Sequence, residues 1–348
     1  MKEILVIETG GTFATGATGD IRRLNAPDEK KIYDYEIVKT RIKKYDFNIS
    51  VKSPFYTLSE NMTIENLNIL LDFLYDLDFS KYDGIIIIHG TDTLAYTSNL
   101  LSMVFSDRDI PIVMVSSNHP LSNTMSNGIA NFISALDFIA KVGLNGVYVM
   151  YRNHNDILQV HLGSRIKQMN QVIDSYESFK NLNFGVIADG DFYLNSNIGN
   201  PSFEEIKNNH YKHKNKINMN SRVILIYPYV GLRYDYYSID DDIDAIVCGV
   251  YHSGTVNSQD IHIDQSINTL IEKAEKLDIP IFIGELTSGI EKYESVEKIK
   301  ESNVVFPVYD ISLENLYMKV HLGLSLTNEN EELYRFVNET NIFFEKLK

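Results

Sequence analysis

Apolar and polar positions follow two rhythms along this chain. Short apolar runs rich in β-branched residues, at 4–7, 85–88, 110–115 and 147–151, are too short for helices and predict buried strands. Between them, 33–45, 63–77, 93–105 and 127–140 carry apolar residues at helical spacing, as in the stripe Ile64, Leu67, Leu70, Leu71 and Leu74. A further strand is predicted at 48–51, and Thr91 or Asp92 is the expected N-cap of the helix starting at 93. Residues 14–27, with Gly16, Gly19 and Pro27, break both rhythms and read as a mobile loop.

This alternation predicts the α/β class, a mainly parallel sheet flanked by helices. Over 196–222, Asn, Lys and His displace the aliphatics, which predicts a linker. It separates a larger N-terminal domain (1–195) from a smaller C-terminal α/β domain (223–348). In the latter, strands at 223–227, 245–250 and 280–283 and helices at 266–277 and 313–322 resume the pattern.

Composition narrows the function. Lys+Arg 32 against Asp+Glu 47 gives a net charge of -15, which argues against a general binder of nucleic acid or of an anionic membrane. No segment approaches the roughly 18 uninterrupted apolar residues of a membrane span. The first apolar run is cut by Glu8 before any cleavage signal, so a cytoplasmic protein is expected. The lone cysteine, Cys248, sits among aliphatics and reads as a small core residue.

Two segments carry candidate chemistry. Thr9-Gly10-Gly11-Thr12 closes the first strand, and His89-Gly90-Thr91-Asp92-Thr93 closes the run 85–88. In open α/β sheets, ligands collect outside the carboxyl ends of strands. Two hydroxyl-bearing turns at that edge suit a threonine nucleophile, which needs an exposed Oγ, nearby backbone N–H groups and a second polar group to move protons. An ordinary βα turn, a phosphate-binding loop or a helix cap would use similar residues. The phosphate reading fails for want of a full dinucleotide fingerprint or a Gly-Lys-Thr sequence.

Together the two motifs resemble those of the bacterial-type L-asparaginase/glutaminase family, and the resemblance runs through nearly the whole chain. Leu58-Ser59-Glu60-Asn61-Met62-Thr63, Ser126-Asn127-Gly128, Gly163-Ser164-Arg165-Ile166-Lys167, Tyr176 and Leu286-Thr287-Ser288-Gly289 fall in the family's order. The resemblance implies a two-domain asparaginase-like fold and conversion of L-asparagine and water to L-aspartate and ammonia through a threonine acyl-enzyme. Thr12 would be the nucleophile, and Thr91 and Lys167 the proton-handling pair. Asp92 would orient that pair and bind the substrate ammonium, Ser59 would hold the carboxylate and Glu60 would add a second carboxylate. The Thr91 N–H is the candidate oxyanion donor. No metal or organic cofactor is implied. A homodimer or homotetramer with sites at the subunit interface is, with the turn at 251–254 and His252 as the partner's candidate contribution.

The chain departs from the family in two places. No tyrosine stands at 15–25, where the family's mobile loop carries one; Arg22, Arg23 and Asn25 are there instead, with Tyr33 and Tyr35 further on. Asn127 stands where the family often has Asp. The alternative functions are a glutaminase, an amidohydrolase of a larger side-chain amide, and a non-catalytic amino-acid-binding relative. One relative that supplies ammonia for amidating Glu-tRNA carries an extra N-terminal domain. Starting at the first strand counts against that role, as does the negative charge.

Overall fold

The computed structural model describes residues 1–11, 13, 15–18, 21–24, 30–259, 261–289 and 293–347, with the backbone alone at 15–18, 21–24 and 295. The chain forms two compact units, Met1–Lys216 with Ile342–Phe344 and Ile217–Asn341 with Glu345–Lys348.

The first unit contains, in order, β1 (Lys2–Glu8), β2 (Thr15–Thr18), β3 (Ile21–Leu24), α1 (Glu36–Lys44), β4 (Phe47–Lys52), α2 (Ile64–Tyr75), β5 (Gly84–Ile88) and α3 (Leu94–Phe105). There follow β6 (Pro111–Val115), α4 (Gly128–Lys141), β7 (Gly146–Arg152), β8 (Leu158–Leu162), β9 (Gly185–Ala188), β10 (Asp191–Leu194) and α5 (Phe203–Lys207). Eight strands make one sheet in the order β10-β9-β8-β7-β6-β5-β1-β4. It is parallel from β4 to β7 and antiparallel from β7 to β10. The parallel strands β5 and β6 are buried along their whole length, which is why they read as unbroken apolar runs. Glu8 of β1 stands opposite Ile88 of β5, so both strands deliver their following turns to one edge at one level.

The second unit is a four-stranded parallel sheet of β11 (Val223–Ile226), β12 (Ala245–Cys248), β13 (Ile281–Leu286) and β14 (Val305–Tyr309), in sequence order. Helix α6 (Ile267–Leu277) packs into one of its apolar clusters, and α8 (Leu313–Leu324) with α9 (Asn330–Glu339) into the other; α7 (Glu294–Ile299) lies between β13 and β14 in the chain. Lys319 of α8 and Glu345 form a fully buried ion pair at 2.7 Å. Cys248 is buried in the core, and burial pushes its thiol up to about 12, which leaves it inert at neutral pH.

Several expectations change. The loop read at 14–27 contains the antiparallel hairpin β2–β3, paired from Thr15↔Leu24 to Thr18↔Ile21. Residues 196–216, read as linker, belong to the first unit, and their polar run includes α5, capped by Ser202 and anchored by buried Ile206. Ile217 and Met219 are buried in turn and belong to the second unit. Thr93, rather than Thr91 or Asp92, is the N-cap of α3, and it caps without a side-chain hydrogen bond because its hydroxyl is used elsewhere. Among the described residues, no helix is long and apolar enough to cross a membrane.

Candidate active site

Three backbone segments meet at the carboxyl edge of β1 and β5. The Thr9 N–H and hydroxyl both donate to the Ile88 carbonyl, at 3.1 and 3.0 Å, which clamps the two strand ends together. Thr57 then pairs with the first turn: its N–H donates to Thr9 O at 3.0 Å and its carbonyl accepts from Gly11 N at 3.2 Å. This lays the segment leading to Ser59 against both turns. Packing at the crossing is backbone on backbone. Gly11 has φ +80°, and a Cβ there would lie 2.5 Å from Gly90 Cα; a Cβ on Gly90 would lie 2.5 Å from Ser59 Oγ.

That approach places Ser59 beside Asp92. The buried Ser59 hydroxyl donates to Asp92 Oδ2 at 2.5 Å and accepts from Asp92 N at 3.3 Å, while Thr93 Oγ1 donates to Ser59 O at 2.9 Å. Glu60 is exposed in the short 3-10 turn Ser59–Asn61, and Thr91 is half-buried.

Below them lies His89, absent from the sequence-based site. Burial lowers its pKa to about 4, so the ring is neutral. Gly90 O can only accept, so His89 Nδ1 carries the proton and donates to it at 2.9 Å, and Nε2 accepts from Thr97 Oγ1 at 3.0 Å. The ring thereby fixes the carbonyl next to Thr91.

A second support comes from Tyr176. Its ring is fully buried, edge-on to Tyr151 at 5.0 Å, and its hydroxyl donates to Thr91 O at 2.5 Å. Burial, with the charges of Asp92 and Asp174, keeps this hydroxyl protonated far above the ordinary phenol range. The Asn153 side chain holds the Tyr176 backbone on both sides, through Tyr176 N at 3.0 Å and Tyr176 O at 3.0 Å.

Lys167 is half-buried on a short antiparallel pairing next to that tyrosine. Its N–H donates to Glu177 O at 2.9 Å, and Phe179 N donates to Arg165 O at 2.7 Å. Buried polar residues of α3 fix this segment from behind: Asn99 Nδ2 donates to Ile166 O at 3.0 Å and Ser98 Oγ to Gly163 O at 3.2 Å. The structure therefore brings Ser59, Thr91 and Asp92 together and ties the Lys167 backbone to them through Tyr176 and Glu177. Thr12 lies outside the described residues, as do Asn25 and the side chains of Arg22 and Arg23.

The departures from the family pattern find places as well. Asn127 and Asn118 exchange hydrogen bonds, each N–H donating to the other's Oδ1 at 3.0 Å, and Asn127 Nδ2 donates to Arg152 O at 2.9 Å. A carboxylate could accept but not donate there. Tyr33 donates to Glu8 Oε1 at 2.9 Å at the end of β1. Tyr35 is the N-cap of α1. In the second unit, His252 is exposed in the turn after β12, where Gly254 N donates to Tyr251 O at 2.7 Å. His213 donates from Nε2 to Met103 O at 2.8 Å, and among the described residues no group of three or more His, Cys, Asp or Glu could hold a metal ion.

Residues 3–198 match the protein family described as Asparaginase, N-terminal. A glutamyl-tRNA(Gln) amidotransferase subunit of Methanosphaera stadtmanae is 28% identical over 356 residues, covering 98% of this chain and 76% of that protein. The L-asparaginase of Thermococcus kodakarensis is 28% identical over 274 residues, covering 76% of each. Among solved structures, the thermostable L-asparaginase from Thermococcus kodakarensis superposes with a TM-score of 0.74 at 22% identity, covering 99% of both chains. A probable cytoplasmic L-asparaginase from Campylobacter jejuni gives 0.71 at 20% identity, covering 97% of this chain and 99% of that one. At such identities the superpositions establish a shared fold.

Proposed function

Because the chain belongs to the asparaginase family, we propose that this amidohydrolase converts L-asparagine and water to L-aspartate and ammonia. The observation that carries the reading is the meeting of the Ser59 segment with the Thr91-Asp92 turn at the edge where β1 also ends. In this reading the Thr12 hydroxyl attacks the side-chain amide carbon and its proton passes to the Thr91–Lys167 pair. The tetrahedral oxyanion is met by the Thr91 N–H. Collapse expels ammonia, with a proton returned to the nitrogen, and leaves an ester on Thr12. Water adds to that ester and releases aspartate. Asp92 takes the substrate ammonium, assisted by Glu60, and Ser59 turns its hydroxyl from Asp92 to the substrate carboxylate. A homo-oligomer in which a second copy completes the site, with His252 as one contribution, is part of this reading, as is a cytoplasmic location.

Ammonia release from L-asparagine and L-glutamine, measured in parallel with a Thr12→Ala control, tests it. Thr12-dependent release from asparagine supports the proposal. Release from glutamine alone, or release that survives Thr12→Ala, overturns it.

One observation favours a second reading. The similarity to the glutamyl-tRNA(Gln) amidotransferase component spans 98% of this chain, so ammonia delivered to a partner's acceptor is the competing fate. Ammonia release that stays low alone and rises with such a partner would favour it.

A further inference from the structure

The first unit has a polar cavity of about 220 Å³ that the proposed chemistry does not use. Its floor is the segment carrying Ser175, Tyr176 and Ser178. Six of its twelve lining residues are Asn or Gln, and none is Lys or Arg. An apolar cavity of about 150 Å³ holds a benzene molecule, so this one has room for a ligand of roughly ten heavy atoms.

The lining groups define the ligand. Asn155 Oδ1 is taken by Ile157 N at 3.2 Å, and Asn170 Oδ1 by Val172 N at 2.9 Å and Ile173 N at 3.2 Å. Their amide NH₂ groups are left to donate. Gln159 and Asn181 offer both a donor and an acceptor, and the exposed Glu177 carboxylate only accepts. Without a cation in the wall, a phosphate or a polycarboxylate meets no compensating charge. With Ile173 and Tyr176 the only apolar side chains among the twelve lining residues, a hydrocarbon would leave most of the polar groups unpaired. An uncharged molecule that both donates and accepts hydrogen bonds satisfies these groups.

The floor also belongs to the candidate site. Tyr176 holds Thr91 O, and Glu177 O holds Lys167 N. His154 Nδ1, itself in the lining, bonds Ser175 Oγ at 2.6 Å, and the fully buried His161 Nδ1 bonds Ser178 Oγ at 2.7 Å, so two imidazoles brace the segment. We propose that this cavity is a second binding site, for a small uncharged polyol or carboxamide, and that occupancy alters turnover through the segment of Tyr176 and Glu177. The effect on turnover rests on the amidohydrolase reading; the binding does not.

Ligand-observed NMR on the full chain, with D-glucose and malonamide as probes and inorganic phosphate as the anionic control, tests the site. Gln159→Leu removes one amide at similar volume. Asn181→Gly removes another at a position with φ +57°, where glycine is at ease, so a folding failure of the first variant leaves the second informative. We expect at least one neutral probe to bind in the millimolar range and each folded variant to weaken it about tenfold, with ammonia release in the absence of probe unchanged. Binding of neither neutral probe, stronger binding of phosphate, or binding indifferent to both variants would overturn the site. Binding that leaves both KM and kcat for the amide unchanged would overturn the coupling. Absence of ammonia release with probe binding intact would instead count against the amidohydrolase reading alone.

Discussion

The Tyr176 hydroxyl donates to the carbonyl of Thr91 at 2.5 Å from a fully buried ring. A phenol held protonated by burial is a permanent donor, so the Thr91 carbonyl is held whatever the charge of the residues around it. Tyr176→Phe leaves that carbonyl unsatisfied at a cost of about 1–3 kcal/mol. That carbonyl shares its peptide with Asp92 N–H; if holding it also sets the adjoining peptide, whose Thr91 N–H is the proposed oxyanion donor, the cost falls on the transition state, and kcat should drop about ten- to a hundredfold with KM nearly unchanged. Steady-state kinetics check this. A rise in KM at constant kcat would show that Tyr176 serves binding alone.

Ser59 and Asp92 form the polar pair of the site, and each holds the other in place before substrate arrives. Ser59→Ala and Asp92→Asn should each raise KM for L-asparagine, and the double variant should lose less than the sum. A hydrogen bond to a carboxylate is worth about 1.5–3 kcal/mol, but Asp92 is exposed, so a coupling of about 1 kcal/mol is expected. A double-mutant cycle on KM measures it, and strict additivity would show that the two residues act independently.

Legibility in the sequence followed burial. The run 85–88 announced β5 because a parallel central strand is apolar on both faces. The threonine turns announced themselves because glycine and hydroxyl residues follow strand ends there. The hairpin β2–β3 did not, since its four-residue strands lie in a Gly-rich stretch with no apolar alternation. The partnership of Ser59 with Asp92 depends on Thr57 pairing with Thr9 and Gly11 across 46 or more positions, which no local pattern encodes. Asn99 and Asn153 were invisible for another reason. Helical and strand periodicity score apolar residues, and these amides do their work as satisfied polar groups inside the core.

Burial also sets a pH limit on the fold. His89, His161 and His321 are held neutral, their pKa values lowered to about 4, 3 and 4 by burial. In the unfolded chain each returns to about 6.5. Above that value both states are neutral and stability is flat. Between about 6.5 and 4 the unfolded chain takes up protons that the folded chain refuses, so stability falls with pH by about 1.4 kcal/mol per unit for each histidine. Urea denaturation at stepped pH should show that slope. His161→Gln removes one contributor outside the proposed chemistry, and an unaltered slope in that variant would mean that His161 ionises without unfolding.

Asn127 offers a test of why this chain carries an amide where a carboxylate is common in the family. Its side chain accepts from Asn118 N and donates to Arg152 O, and Asn118 in turn donates to Asp174 at 2.5 Å. Asp174 also accepts from the Tyr151 hydroxyl, whose ring packs against Tyr176, so the network reaches the support of Thr91. Asn127→Asp keeps the size and the acceptor but sets a carboxylate against the Arg152 carbonyl. The expected cost is about 1–3 kcal/mol of stability at neutral pH. The introduced carboxyl would have its folded pKa raised above the unfolded value of about 3.9, because its protonated form can donate to Arg152 O. Its penalty is therefore full above the raised value and disappears as pH falls below about 3.9. Denaturation of both proteins from neutral to acid pH would show the two curves converging. Parallel curves would mean that Asn127 contributes shape rather than a donated hydrogen bond.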